Sequence, residues 1–206
     1  MSREAARALT RADPDLGRVL KRVGPIALEP TRGETPYQSL VRAVTYQQLT
    51  GRAAATILGR VKGLFPGRRF PRPEDLLGAP DDALRAAGLS RAKTVAVKAI
   101  AQATLDGVVP GSRAIARLDD EELVERLTTI RGVGRWTVEM LLIFKLGRPD
   151  VLPATDYGVR KGFARTYGLD DLPTPRALLA HGERWRPFRS YAALSMWRVL
   201  DTPTPA

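Results

Sequence analysis

The fold is decided by residues 127–161, which read LTTIRGVGRWTVEMLLIFKLGRPDVLPATDYGVRK. The glycine turn Gly132-Val133-Gly134 is preceded by an acidic stretch whose apolar residues lie four positions apart. It is followed by a long apolar run. Both flanks have the pattern of helices, and glycine permits the positive φ and the close backbone approach of a tight turn. The stretch therefore predicts two helices, at 119–129 and 135–146, joined by a short hairpin.

A hairpin of this kind can bind an anion. Backbone N–H groups at a helix N-terminus point outward and attract negative charge, and a DNA phosphate is a natural ligand. The candidate contacts are Arg131, Gly132, Val133, Gly134 and Arg135. Because Gly-x-Gly also occurs in ordinary tight turns, the motif by itself leaves both interpretations open.

Length and composition narrow the class of protein. A chain of 206 residues suits one domain or two closely associated lobes and can bury about 70% of its unfolded surface. It has no cysteine, which excludes disulfides and cysteine-ligated zinc or iron–sulfur sites. Its 33 Lys and Arg against 22 Asp and Glu give a net charge of +11. That excess favours a nucleic-acid partner, although an arginine-rich composition from a high-GC genome would also produce it.

Targeting segments are not indicated. The first residues, MSREAARALTRADPD, lack the apolar core of a signal peptide, and no stretch reaches the roughly 18 apolar residues of a membrane span. We therefore expect a cytoplasmic protein, associated with the nucleoid if its source is bacterial.

Helix signals recur at short intervals. Capping residues or first-turn prolines are predicted at Asp13-Pro14, Thr35-Pro36, Thr50, Pro73, Pro80, Ser90, Thr174-Pro175 and Pro187. No stretch alternates as a half-buried strand does, and residues 25–34 form the one long irregular segment near the front. The predicted fold class is all-α.

The hairpin together with VLPATDYGVRKG at 151–162 closely resembles the helix-hairpin-helix DNA glycosylase superfamily. In that family a hairpin L-x-G-[VI]-G precedes a catalytic aspartate by about two dozen residues. Three further segments are similar to the 3-methyladenine DNA glycosylase II branch: AVTYQQLTGRAA at 43–54, AGLSRAKTVAVKAIA at 87–101 and ERWRPFRSYAALSMWRVL at 183–200. The resemblance covers nearly all of the chain from Thr35 onward.

The resemblance implies two helical lobes that face a cleft. We predict a central lobe at residues 35–166, with the helix-hairpin-helix motif at about 119–146, and a second lobe from residues 1–34 and 167–206. Some family members carry an extra N-terminal β-rich domain. This chain is too short to hold one, so we expect the compact form.

Asp156 is the candidate catalytic residue. An aspartate at a helix start is usually a cap worth about 1 kcal/mol, but Thr155 could cap instead and free Asp156 for chemistry. Breaking the bond between base and sugar builds positive charge on the deoxyribose, which a fixed carboxylate stabilises. A helix N-terminus favours the negative charge that this role requires. The same carboxylate could orient or deprotonate the attacking water, and the sequence leaves both roles open.

The target base must leave the DNA stack, at a cost of a few kcal/mol, and aromatic faces can receive it. The candidate pocket residues are Trp136, Tyr157, Tyr191 and Trp197. A cationic base such as 3-methyladenine is attracted to electron-rich rings by about 0.5–2 kcal/mol and is a good leaving group. On pattern alone these rings could equally be ordinary core, and Trp197 shares an apolar helix face with Leu194 and Leu200.

The resemblance implies three further assignments. Family members that also cut the backbone carry a lysine nucleophile where this chain has Trp136, so a hydrolase without lyase activity is expected. Gln48, with Gln47 or Leu49 beside it, would fill the gap that the flipped base leaves; a polar residue at a helix end is the other interpretation. The carbonyls of Thr128, Ile130 and Gly132 would hold a sodium or potassium ion. We expect no required cofactor, and we interpret His181 as a surface or capping residue.

Our interpretation is a monomeric DNA glycosylase that flips and hydrolyses alkylated bases, chiefly 3-methyladenine, in double-stranded DNA. Two alternatives remain at this level. One is the same fold acting on deaminated or ring-extended (etheno) bases. The other is a non-catalytic hairpin protein, which would leave Asp156 on the surface and away from aromatic rings.

Overall fold

The computed structural model describes residues 3–201. Within that range it contains no strand, and the predicted all-α class is confirmed. The helices are α1 (Arg3–Ala12), α2 (Pro14–Val23), α3 (Pro36–Tyr46), α4 (Gly51–Gly63), α5 (Pro73–Gly78), α6 (Asp81–Ala86), α7 (Arg91–Leu105), α8 (Ser112–Ile115), α9 (Asp120–Thr128), α10 (Arg135–Met140), α11 (Tyr157–Tyr167), α12 (Pro175–Gly182) and α13 (Arg189–Asp201). A π-helical turn, Leu141–Lys145, follows α10, and a 3₁₀ turn, Glu183–Trp185, follows α12.

Most helices begin where the sequence places a cap. The side chains of Asp13, Thr35, Thr50, Ser90 and Thr174 each accept a hydrogen bond from a backbone N–H three residues later. Each such cap stabilises its helix by about 1 kcal/mol. These starts are set locally, so the predictions for them are confirmed.

Two helix boundaries differ from the prediction. The run expected to be helical from 135 to 146 is α-helical only to Met140 and continues as the π turn. The last helix begins at Arg189 rather than at Pro187. The reason is that the N–H groups of Arg189 and Ser190 bond instead to Asp150 Oδ1 at 3.3 Å and to the Pro149 carbonyl at 2.9 Å.

The chain divides into two compact units. The central unit is residues 31–141, and the terminal unit is residues 1–30 with 142–206, of which 3–30 and 142–201 are described. The predicted central lobe extended to residue 166, whereas the structure assigns the chain from Leu142 onward to the terminal unit. The packing of α11 on α13 explains the difference, because a Cβ on Gly162 would overlap the backbone of Met196. Only glycine allows so close an approach.

The central unit is built around α7, which packs against α3, α5 and α6. Val97 and Ile100 of α7 are buried with Leu40 and Val44 of α3. These apolar residues lie three and four positions apart, as one buried face of each helix requires. Helix α9 and helix α10, which flank the hairpin, also pack against each other.

The terminal unit has a core of apolar side chains from α1, α2, α11 and α13 around the fully buried Trp185. Asp13, which is 3% exposed, lies within it. Its Oδ2 accepts hydrogen bonds from Tyr167 Oη at 2.6 Å and Trp185 Nε1 at 2.9 Å, and lies 3.0 Å from His181 Nε2. His181 is therefore part of an interior polar network, and its interpretation as a surface or capping residue is wrong. Burial acts to raise the pKa of Asp13, but these bonds and the Leu16 N–H outweigh it and lower the pKa to about 2.

Within residues 3–201, no helix combines the length and the hydropathy that crossing a bilayer requires.

Candidate functional site

Asp156 lies at the N-terminus of α11 in the terminal unit. It is half-buried, and its Oδ1 accepts the backbone N–H of Val159 at 2.8 Å. Asp156 is thus the N-cap of α11, so the alternative in which Thr155 caps the helix does not hold, and Thr155 lies exposed on the preceding turn. The cap also holds the carboxylate in one orientation.

A second donor reaches the same carboxylate oxygen. Trp197 Nε1 of α13 donates to Asp156 Oδ1 at 2.7 Å. Gly158 lies between the two, and a Cβ there would lie 2.7 Å from Trp197 Cδ1 and 2.9 Å from Nε1. The missing side chain at residue 158 therefore leaves the space through which the indole reaches the acid.

Phe144 extends this cluster and was not predicted. It is 44% exposed, and its ring is stacked on that of Trp197 with centroids 5.7 Å apart and an interplanar angle of 25°. The mostly apolar run 135–146 predicted a buried helix. The π turn inserts an extra residue per turn and so rotates the side chains within it. Phe144 is turned outward as a result, while Leu142 and Ile143 remain buried.

The other two aromatic candidates of the terminal unit differ in environment. Tyr157, the residue after Asp156, is 63% exposed, and Lys161 Nζ lies 5.9 Å from its ring centroid. Tyr191 is half-buried, and its ring centroid lies 6.1 Å from that of Phe188. Tyr157 is therefore accessible to a ligand, whereas Tyr191 packs against the core cluster.

The glycine hairpin lies in the central unit. Its turn is closed by the Val133 N–H bonding to the Ile130 carbonyl at 3.0 Å. Gly132 has φ 85°, and a Cβ there would overlap Ala96 of α7, so both predicted reasons for glycine hold at this position. At Gly134 they do not, because φ is −97° and an added Cβ would meet open space.

Gly134 serves instead as the N-cap of α10, without a side-chain hydrogen bond to the helix. The first N–H groups of a helix have no partner within it, so this end suits an external acceptor. Arg131 and Arg135 are exposed on either side, and Arg135 pairs with Glu121. An exposed pair of this kind is worth about 0–1 kcal/mol, so a phosphate can displace the carboxylate. Trp136 is the next residue and is half-buried.

The turn after α3, residues 47–49, contains the residues expected to fill the gap in the DNA and is called the Gln47 turn below. Gln47 is engaged with the hairpin, because its Nε2 donates to Thr137 Oγ1 at 2.9 Å and to the Gly132 carbonyl at 3.4 Å. Gln48 is exposed and has φ 55°, the only positive φ of a non-glycine among residues 3–201. That conformation costs about 1–2 kcal/mol. Leu49 is 40% exposed, so the turn presents one polar and one apolar side chain.

A cavity of about 380 Å³ lies in the central unit at the other end of α3, beside Tyr37, Phe70 and Pro110. Helix α3 has 11 residues, so it separates this cavity from the Gln47 turn by about 15 Å. No predicted site residue lines the cavity, and we do not assign the base to it.

Comparisons with known proteins identify the family. Residues 41–187 match the model of the HhH-GPD superfamily base excision DNA repair proteins. The chain belongs to the HhH-GPD superfamily. The matched range includes the Gln47 turn, the hairpin and Asp156, and the family resemblance inferred from these segments is confirmed.

Relatives within the HhH-GPD superfamily support the 3-methyladenine branch. DNA-3-methyladenine glycosylase 1 of Schizosaccharomyces pombe is 42% identical over 194 residues, which cover 93% of this chain and 84% of that protein. The solved structure of the Schizosaccharomyces pombe 3-methyladenine DNA glycosylase (Mag1) in complex with abasic DNA matches with a TM-score of 0.89, 41% identity and 95% coverage of both chains. The DNA-3-methyladenine glycosidase of Bacillus halodurans matches with a TM-score of 0.79 and 32% identity, covering 96% and 89% of the two chains.

Two candidate functional residues, one in each unit, carried no usable signal in the sequence. Phe144 was hidden in an apolar run, where its exposure depends on the π turn. Lys93 was one of many basic residues, yet its Nζ donates to the carbonyls of Thr45 and Gln47 at 2.8 and 2.7 Å. The contacts of Phe144 with Trp197 and of Lys93 with Thr45 and Gln47 each join residues more than 40 positions apart.

Proposed function

We propose that the protein removes alkylated purines, chiefly 3-methyladenine, from double-stranded DNA by hydrolysing the bond between base and deoxyribose. The observation that carries the proposal is the carboxylate of Asp156, whose Oδ1 is held by both Val159 N–H and Trp197 Nε1. The names of the relatives described above point to the same substrate class. The arrangement also disfavours a non-catalytic role, which would leave Asp156 on the open surface away from any ring.

The chemistry depends on where the charge develops. As the base departs, positive charge builds on the sugar, and a carboxylate fixed in advance stabilises it without having to reorganise. Asp156 is fixed in this way because two donors on different helices hold one of its oxygens. The same carboxylate can orient or deprotonate the water that completes the hydrolysis.

Aromatic rings beside the acid suit a cationic base. Trp197 contacts Asp156 and stacks on the exposed ring of Phe144, and Tyr157 adds an accessible ring on α11. A methylated purine with a positive charge gains about 0.5–2 kcal/mol from such faces. Since that base is already a good leaving group, no general acid is needed. Trp136 and Tyr191 are further candidates for the pocket.

The DNA backbone would be held by the central unit. Backbone amides at Gly132, Val133 and Gly134 would bind one phosphate, with Arg131 and Arg135 beside it. Gln48 or the exposed Leu49 would enter the space left by the base. The net charge of +11 supports binding to a polyanion. We expect the protein to act as a monomer in the compartment that contains the DNA.

The hairpin offers a place for a monovalent cation, which would bridge the hairpin and the phosphate. Of the expected ligands, the Ile130 carbonyl accepts the Val133 N–H and the Gly132 carbonyl accepts the Gln47 amide. A carbonyl has two lone pairs, so each retains one for an ion, and Thr128 would supply the third oxygen. Neutral oxygens suit sodium or potassium. In the described part of the chain, no three His, Asp or Glu side chains form a site for a divalent metal.

The experiment compares the release of 3-methyladenine from methylated duplex DNA by the wild type and by Asp156→Asn. Asparagine is as good an N-cap as aspartate and can accept both hydrogen bonds through its own Oδ1, so the variant removes the charge and little else. We expect release to fall about 10²–10³-fold, with unchanged affinity for the DNA.

Asp106→Asn is the matched control. Asp106 is exposed and also accepts a side-chain hydrogen bond through Oδ1, from Gln102 at 2.8 Å. It should release the base at the wild-type rate. Equal release by wild type and Asp156→Asn would refute the catalytic role of Asp156. If the wild type binds methylated DNA but releases no base, the proposed function is refuted and the non-catalytic alternative is supported.

A further inference from the structure

The turn after α3 holds a strained conformation at an exposed position. Gln48 is left-handed at φ 55°, and such a conformation persists in a non-glycine residue only where the surroundings impose it. Two neighbours do so. The Gln47 side chain bonds to the hairpin, and the ammonium of Lys93 bonds to the main chain of the turn.

Lys93 acts on the C-terminal end of α3. Its Nζ donates to the carbonyl of Thr45 at 2.8 Å and to that of Gln47 at 2.7 Å. The last carbonyls of a helix have no partner within it, and a cation at this end also complements the helix dipole. The Gln47 carbonyl belongs to the peptide bond that leads into Gln48, so Lys93 holds the backbone directly before the left-handed residue.

The same face of α7 supports the hairpin. Ala96, three residues after Lys93 and thus on the same side of the helix, lies against Gly132 so closely that no Cβ fits there. Gln47 completes the link through Thr137 Oγ1 at 2.9 Å. Helix α7 is therefore a common platform for the hairpin and for the Gln47 turn.

We propose that Lys93 is a positioning residue that holds Gln48 and Leu49 ready to enter duplex DNA at the place of the missing base. The inference rests on the proposed function, because it gives this turn the role of filling the gap that the flipped base leaves in the DNA. Lys93 itself is only partly exposed, and two of its three ammonium hydrogens already bond to carbonyls, so it is not assigned a phosphate contact. Burial lowers the pKa of Lys93 from its usual value, which fits an ammonium surrounded by protein rather than by water.

The test uses binding, which does not depend on turnover. Affinity is measured for a duplex that carries a stable abasic-site analogue and for the same duplex intact. The affinity for the abasic duplex divided by that for the intact duplex reports how well the gap is filled. Lys93→Met keeps an unbranched side chain, one atom shorter than lysine, and removes the donors. We expect this ratio to fall about tenfold, while affinity for intact DNA falls by no more than about twofold.

Lys98→Met is the matched control on the same helix. Lys98 Nζ also donates to a backbone carbonyl, that of Ala79 at 2.8 Å, but at a distance from the turn along α7. Its abasic preference should equal that of the wild type. Thermal melting is measured for each protein, and Lys93→Gln, a milder change, is used if Lys93→Met does not fold.

The outcomes separate the two proposals. A wild-type preference for abasic DNA that Lys93→Met and Lys93→Gln retain would overturn the positioning role. A loss in the Lys93 variants but not in Lys98→Met supports it, even if the wild type releases no methylated base and the proposed function fails. An equal loss in Lys98→Met would show a general weakening of α7 and would also overturn the assignment.

Discussion

Replacing Gly158 by alanine tests the contact between Trp197 and Asp156 without changing either residue. The new Cβ would lie 2.7 Å from Trp197 Cδ1, whereas carbon atoms pack at about 3.5–4.0 Å. The indole must therefore retreat by about 0.8 Å or more. Its hydrogen bond to Asp156 Oδ1, now 2.7 Å long, would stretch to about 3.5 Å, at which a hydrogen bond is much weaker than at the usual distance of about 2.7–3.2 Å.

The magnitude depends on that lost bond. A hydrogen bond to a charged group contributes about 1.5–3 kcal/mol. If the bond holds the carboxylate where the transition state needs it, its loss slows catalysis about 10- to 100-fold. The free energy of unfolding should fall too, because the lost hydrogen bond and the overpacking cost of about 1–3 kcal/mol outweigh the gain of up to about 1 kcal/mol from replacing a helical glycine by alanine. The rates are therefore compared under conditions where both proteins are folded.

The assay is single-turnover release of 3-methyladenine from methylated duplex DNA, with urea denaturation measured in parallel. Gly78→Ala is the control, because Gly78 is also helical and a Cβ there meets open space. It should leave the rate unchanged. A Gly158→Ala protein that folds normally and releases base at the wild-type rate would refute the inference that Trp197 orients Asp156.

Two further predictions concern the interior acid and the reaction class. The pKa of Asp13 lies at about 2, below its ordinary value of 3.8, so its bonds contribute full stability above about pH 4, and this contribution is lost as the pH falls towards 2. The free energy of unfolding should drop by about 2 kcal/mol over that window. Urea denaturation at a series of pH values should show a smaller drop in Asp13→Asn, and identical profiles would contradict the network's role. The family resemblance implies that Trp136 occupies the position at which the lyases carry a lysine, so borohydride should trap no covalent adduct between the protein and abasic DNA. A trapped adduct would contradict a purely hydrolytic reaction.

Local features of this protein were readable from the sequence alone. A helix cap needs only a side chain and a backbone N–H three residues apart, so Asp13, Thr35 and Ser90 could be assigned as caps without knowledge of the fold. The hairpin, with a glycine at residue 132 that must adopt positive φ, was equally local. The order of the motifs also identified the superfamily and singled out Asp156.

The contacts that hold Asp156 and the Gln47 turn in place were decided by tertiary structure. Trp197 reaches Asp156 only because α13 packs on α11 through Gly162, and Lys93 reaches Gln47 only because α7 lies beside α3. The exposure of Phe144 depends on a π turn that an apolar run does not reveal. A hydrogen bond within one helical turn is encoded by neighbouring residues, whereas a bond between distant helices exists only after the core has set their separation and rotation.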